Sequence, residues 1–346
     1  MTRTDSSPDR FSGDTAARLE VDSLTKQYGE VTAVDGLSLR IEAGEVFGFL
    51  GPNGAGKSTT IDVLLDFVRP TSGSVRVCGH DPQADPRAVR RRVGVLPEAT
   101  GYYARASARE HVRFAAEMKD AERDPMRTLE RVGLVESADR PVGDFSKGMR
   151  QRLGVAMALI GRPDLLVLDE PLAGLDPAGA RRVRRLVREE RDRGAAVLLS
   201  SHITEQVETL CDRVGILLDG ELAVVDTVVG LRERLNADRP IDLTIVERPA
   251  DFDVATLDGV TGVNELASGI RVTCRGPAAA GRIVARLDVS GATLLDIEGR
   301  GGSLERLFLA LTDDGTEHVD TAVETAVEPR GPADEPFQSA SRGRPA

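Results

Sequence analysis

"GPNGAGKST", residues 51–59, decides how this chain is read. It matches G-x-x-x-x-G-K-[ST] and lies between an apolar run, "EVFGFLG" (45–51), and a helical pattern with Ile61, Leu64, Leu65 and Val68 on one face. Strand, glycine loop, Lys-Ser and helix in that order make a phosphate cradle. Gly51, Gly54 and Gly56 let backbone N–H groups close around phosphate oxygens, with Pro52, Asn53 and Ala55 completing the loop. Lys57 puts a point charge on the outer phosphates. The Ser58 hydroxyl is a ligand for Mg2+, and Ser58 and Thr59 open a helix whose N-terminal dipole favours an anion. A P-loop NTPase of the α/β class is expected.

"LLVLDEP" (165–171) supplies a second half. Its buried strand ends in Asp169 and Glu170, at the sheet edge where α/β proteins bind ligands. Asp169 suits Mg2+, directly or through water, and Glu170 suits a proton taken from attacking water. Two helix-capping acids before Pro171 is the plainer reading, and the phosphate loop in the same chain argues against it. "AAVLLSSH" (195–202) is a further strand that ends in His202. A capping or surface histidine and a γ-phosphate contact both remain open there. "FSKGMRQR" (145–152) leads into a helix whose start is built to hold an anion, some ninety residues after the first such start. Met149, Leu153, Ala156, Met157 and Ile160 give that helix an apolar face. An ordinary helix capped near Ser146 is the alternative.

The remaining sequence bounds the rest. A chain of 346 residues that is 40% apolar can build one large and one small core. A net charge of −11 argues against general attraction to nucleic acid or anionic lipid, and the arginine run at 181–193 reads as a solvated helix face. Cys78, Cys211 and Cys274 stand apart with no metal-ligand spacing, as buried thiols do. No apolar run approaches the ~18 residues of a membrane span, so a soluble chain is expected, with any membrane role needing a partner. Residues 92–97 read as another buried strand, and 214–226 as a hairpin around Asp219-Gly220. Between Glu98 and Phe145 the pattern is helical, with a capping box at Ser107 and Glu110 and a helix opened by Asp124-Pro125.

As a set, these motifs resemble the ATP-binding subunits of ABC transporters, over roughly residues 20–228. The resemblance implies ATP and Mg2+ as cofactors and an integral-membrane permease on a separate chain. It also implies a location on the cytoplasmic face of the membrane and a head-to-tail dimer, with a second copy or a sister ATPase. "FSKGMRQR" fills the place of the signature Leu-Ser-Gly-Gly-Gln, so Ser146, Lys147, Gly148 and Met149 would meet the partner's ATP. "AGLD" (173–176) supplies the D-loop Asp176, and His202 the switch histidine. Tyr28, in "KQYG", holds the place of the aromatic that stacks on adenine, though alone it reads as a packing or turn residue. The family's Q-loop glutamine is Glu98 here, in "VGVLPEAT", either a tighter metal ligand or a surface acid.

The expected layout is a disordered 1–17, an ATP-binding domain over 18–236 with a helical subdomain at about 99–160, a small α+β domain over 237–313, and a disordered acidic tail over 314–346. Within transporters, "SKGMRQR", "LPE" and "SLERLFLALT" resemble ABC-2-type exporter subunits and the ATPase of nitrous oxide reductase copper-site maturation. A soluble ABC ATPase acting on nucleic acid or the ribosome is the second reading. It is weakened by a single ATPase unit and by the absence of sustained heptads. A P-loop kinase or GTPase would leave the signature helix and D-loop unexplained.

Overall fold

A computed structural model describes residues 17–121, 124–235, 239–247, 253–275, 277–299 and 304–312. The two segments expected to be disordered lie, apart from residue 17, outside the described residues. The chain forms two compact units, one of Met1–Glu233 with Gly302–Asp314, the other beginning with Arg234–Gly301.

The first unit opens with strands β1 (Leu19–Tyr28) and β2 (Val31–Ile41), then β3 (Val46–Leu50), the phosphate loop and helix α1 (Lys57–Leu64). Strand β4 (Ser72–Val77), helix α2 (Pro86–Arg92) and strand β5 (Val93–Leu96) follow. A helical subdomain comes next, made of α3 (Ala108–Met118), α4 (Pro125–Val132) and α5 (Lys147–Ala158). The chain then re-enters the sheet as β6 (Leu165–Asp169), α6 (Pro177–Asp192), β7 (Ala196–Ser201) and α7 (Thr204–Leu210). It closes with a hairpin of β8 (Arg213–Leu218) and β9 (Glu221–Thr227) and helix α8 (Val228–Leu235).

Six strands lie in the order β5-β6-β7-β3-β8-β9. All neighbours are parallel except β8 and β9. Every residue of β3, β6 and β7 is buried, which is why those runs are apolar on both faces. An antiparallel sheet, β2-β1-β4, shares one hydrophobic core with α1 and the parallel strands through Leu19, Leu24, Phe47, Phe49, Ile61 and Leu198. The strand order brings the C-terminal ends of β5, β6, β7 and β3 side by side. Glu98, Glu170, His202 and the phosphate loop are far apart in sequence but follow those four adjacent ends.

The local signals act as read. Ser107 and Glu110 form a reciprocal capping box on α3, Asp124 caps α4, and Ser146 caps α5 by accepting from the Met149 N–H at 3.2 Å. The three cysteines are buried and free.

The second unit holds β10 (Arg239–Glu247), β11 (Val260–Leu266), β12 (Gly269–Cys274), helix α9 (Pro277–Ser290) and β13 (Thr293–Gly299). Its sheet runs β11-β12-β10-β13, antiparallel throughout, and its core joins Leu243, Ile270 and Val272 to Ile283 and Leu287 of α9. One boundary differs from the expected 237–313. Helix α10 (Leu304–Thr312) belongs to the first unit, where it packs on α7. Leu304 and Leu307 are fully buried, and Glu208 of α7 accepts from the Leu304 N–H at 2.8 Å, capping the helix from outside its own segment.

Candidate functional site

A cavity of 520 Å³ lies over the phosphate loop. Its wall takes Asn53, Gly54, Gly56, Lys57, Ser58 and Thr59 from the loop and α1, Glu98 after β5, Asp169 at the end of β6 with Glu170 and Ala173 after it, and His202 after β7. Lys147 and Gln151 of α5 complete it.

The loop holds its shape through backbone that only glycine tolerates. Gly56 has φ 101°, and a Cβ there would lie 2.3 Å from the Ala33 carbonyl oxygen. The Lys57 ammonium donates to the Gly51 and Pro52 carbonyl oxygens at 2.6 and 2.8 Å, so the loop cages its own cation. Burial lowers the Lys57 pKa, while Glu170, Asp169 and Glu98 pull it back up. The three carboxylates therefore already act on the cation that phosphate would meet.

Glu170 is the most constrained residue of the site. Its φ is 47°, a left-handed conformation that costs a non-glycine residue on the order of 1 kcal/mol or more. The Ser200 hydroxyl accepts from the Glu170 N–H at 3.2 Å and also donates to the Asp169 carboxylate, tying the two acids to β7. Glu170 Oε1 accepts from the His202 backbone N–H at 2.9 Å and contacts His202 Nδ1 at 2.6 Å. With the carboxylate oxygen as acceptor, Nδ1 is the donor nitrogen, which leaves Nε2 for another partner. Glu170 Oε2 is buried and has no protein partner. A carboxylate with one oxygen fixed and the other unpartnered beside a phosphate loop can take a proton from a water in the cavity.

The donor set also fits a hard divalent cation. Ser58 is exposed at the start of α1 and lines the cavity, and buried Asp169 and exposed Glu98 add carboxylates. Among the described residues no group of three or more His, Cys, Asp or Glu side chains forms an all-protein metal site. Magnesium, which keeps waters and shares phosphate oxygens, needs none.

Residues 34–173 match the family model "ABC transporter". The chain is 34% identical over 305 residues to the linearmycin resistance ATP-binding protein LnrL of Bacillus subtilis, covering 85% of this chain and 98% of that protein. The chain belongs to the ATP-binding subunits of ABC transporters. It is likewise 35% identical over 307 residues to the daunorubicin resistance ATP-binding protein DrrA3 of Streptomyces coeruleorubidus, covering 86% of this chain and 96% of that one. A solved structure described as an ATP-binding subunit of an ABC transporter superposes with a TM-score of 0.59 at 30% identity, over 62% of this chain and 92% of that one. The protein is thus an ATP-binding, ATP-hydrolysing subunit with the P-loop NTPase fold. Among the described residues it has no helix long and apolar enough to cross a membrane.

In this ABC subunit the residues singled out by sequence divide into three sets. Asn53, Gly54, Gly56 to Thr59, Glu98, Asp169, Glu170, His202 and Lys147 meet at the cavity. Gly51, Pro52 and Ala55 shape the loop from behind. Ser146, Gly148 and Met149 do not line the cavity of their own chain, and neither does Asp176, whose carboxylate caps α6 through the Gly179 N–H at 2.8 Å. Tyr28 stands at the end of β1 away from the cavity wall, 47% exposed, with the Lys26 ammonium 4.7 Å from its ring centre. Sequence reasoning missed Ser200 and Gln151, whose side-chain amide donates to the Glu170 carbonyl at 2.9 Å. The doubled serine in "SSH" was the one available signal for Ser200.

Proposed function

We propose that this ATPase energises an ABC-2-type exporter, as a peripheral subunit on the cytoplasmic face of the membrane, through head-to-tail dimers in which each ATP lies between the phosphate loop of one copy and the α5 start of the other. The observation that supports this most is the division within one chain. The phosphate loop, Asp169, Glu170 and His202 share a cavity that Lys147 and Gln151 of α5 also reach, while Ser146 and Gly148, at a capped helix start, do not line it. A second copy gives that helix start a phosphate to meet.

In this reading Lys57 and the loop amides bind the outer phosphates, and Tyr28 stacks on adenine. Ser58 and Asp169 would hold Mg2+, with Glu98 beside them, and the ion would offset charge on the phosphate oxygens. As the attacking water forms its bond to the γ-phosphorus, its proton passes to the Glu170 carboxylate and the bond to the ADP oxygen breaks. His202 holds Glu170 through Oε1 and turns Nε2 to the γ-phosphate. Asp176 positions the loop between the two sites.

The relatives named for linearmycin and daunorubicin resistance favour export, with the substrate chosen by the permease. Permease docking is assigned to the groove lined by Tyr103, Arg105, His111 and Phe114, where Tyr103 is 71% and Phe114 48% exposed. An ATPase acting on nucleic acid or the ribosome is not favoured. Purification from detergent extracts tests the choice. One integral-membrane protein should accompany the chain and be lost with Phe114→Glu, whereas cosedimentation with ribosomes and no membrane protein would overturn the assignment.

A further inference from the structure

Within "FSKGMRQR" the lysine stands apart from its neighbours. Ser146, Gly148 and Met149 do not line the cavity of their own chain, whereas Lys147 does. Ser146 caps α5, so Lys147 is the first residue of the helix. A cation there opposes the helix dipole, and the first turn has no acidic residue to offset it. Helix stability therefore gives no reason for a lysine at this position. Its stem runs over Gly174. A Cβ on Gly174, whose φ is 69°, would lie 2.7 Å from Lys147 Cδ and 2.9 Å from Cε. Gln151, four residues on, shares the face of α5 that carries Lys147, and its amide donates to the Glu170 carbonyl at 2.9 Å. That face is the one turned to Glu170. The Lys147 side chain is exposed, and its ammonium has no hydrogen bond or ion pair among the described residues.

The cavity wall sets three carboxylates, Glu98, Asp169 and Glu170, against one other ammonium. That ammonium, Lys57, is already bonded to two carbonyls of its own loop. A nucleoside triphosphate brings further negative charge to this wall, and its outermost phosphate brings it nearest Glu170. We propose that Lys147 is a nucleotide-binding residue of its own chain, a second ammonium for the outermost phosphate, which favours ATP over ADP in the cavity. The α5 start then serves two nucleotides: Ser146 and Gly148 are offered to a second copy, and Lys147 turns back to the chain that carries it. The assignment rests on the reading that sets the γ-phosphate beside Glu170, and it needs no second copy.

The test is equilibrium titration of the full chain with Mg2+ and either ADP or the non-hydrolysable triphosphate AMP-PNP, at a dilution where sedimentation finds monomer. Lys147→Gln should weaken AMP-PNP about three- to tenfold, between the effect of an exposed ion pair and that of a hydrogen bond to a charged group, and leave ADP within twofold of the parent. Lys147→Arg should restore most of the AMP-PNP affinity, which a mere loss of helix packing would not allow. Three results would each overturn the proposal: unchanged AMP-PNP affinity in Lys147→Gln, an equal loss for both nucleotides, or a loss that emerges only at concentrations where the chain dimerises. The placement of the γ-phosphate is tested separately. Turnover of Glu170→Gln at the parent rate would remove that placement, and the titration would still decide whether Lys147 selects the triphosphate.

Discussion

The Lys57 ammonium is bonded to two carbonyls of its own loop, and phosphate must offer it better acceptors to draw it out. Lys57→Ala removes both the cage and the charge. ATP binding should fall below detection in filter or fluorescence assays, and hydrolysis with it, whereas turnover at the parent rate would exclude the loop as the nucleotide site. Glu170→Gln keeps the His202 contacts to one oxygen but removes the proposed base, so steady-state hydrolysis should drop about 10²- to 10⁴-fold with ATP still bound. Normal turnover in that variant would move the base elsewhere. The chain has lysines only at 26, 57, 119 and 147, and none is an idle surface charge. Lys57 and Lys147 line the cavity, Lys26 covers the Tyr28 ring and Lys119 joins two elements. At this scale the phosphate loop, Asp169, Glu170 and His202 were legible because each ends or follows an apolar run. Gln151 and Ser200 were not, because their roles depend on strand order and on how α5 lies over Glu170.

At the scale of elements, Lys119 follows α3 and donates to the Val93 carbonyl of β5 at 2.9 Å and the Ile160 carbonyl after α5 at 3.0 Å. It pins the helical subdomain to the parallel sheet. Burial lowers its pKa to about 8 from 10.5. The folded chain therefore holds this proton less tightly than the unfolded chain, so the contribution of Lys119 to stability rises with pH between about 8 and 10.5. Compared with Lys119→Met by urea denaturation, the parent should gain roughly 1–3 kcal/mol between pH 8 and 10. A flat difference across that range would show that the folded-state pKa is not lowered. Helix caps and the Asp219-Gly220 hairpin were readable because they are local. The β2-β1-β4 sheet was not, since β1 mixes buried and exposed residues without strict alternation and its register shifts at three places. Strand β11 escaped for a similar reason, with no fully buried residue among seven.

At the scale of the whole molecule, the second unit is inserted between α8 and α10 of the ATPase unit, and composition alone could not show that the last helix returns. Ending the chain after residue 235 removes Leu304 and Leu307 along with the small domain. That variant should lose about 2–4 kcal/mol of stability in denaturant titrations. Replacing only 236–301 by a flexible linker should restore most of it and retain ATP binding. Equal stability of the two variants would show that α10 contributes nothing to the ATPase unit.

The shared site is tested most directly by nucleotide trapping in enforced heterodimers. Lys57→Ala disables the phosphate loop. Ser146→Asp keeps the α5 cap, because aspartate caps helices as well as serine does, and sets a carboxylate where the partner's γ-phosphate would approach. Pairing the two single variants leaves one intact composite site and one doubly broken site if sites form between copies. Pairing the parent with the double variant then leaves two half-broken sites. Trapping in the first pairing and not in the second is the result expected of a shared site. Trapping in the second and not in the first would show that each chain completes its own.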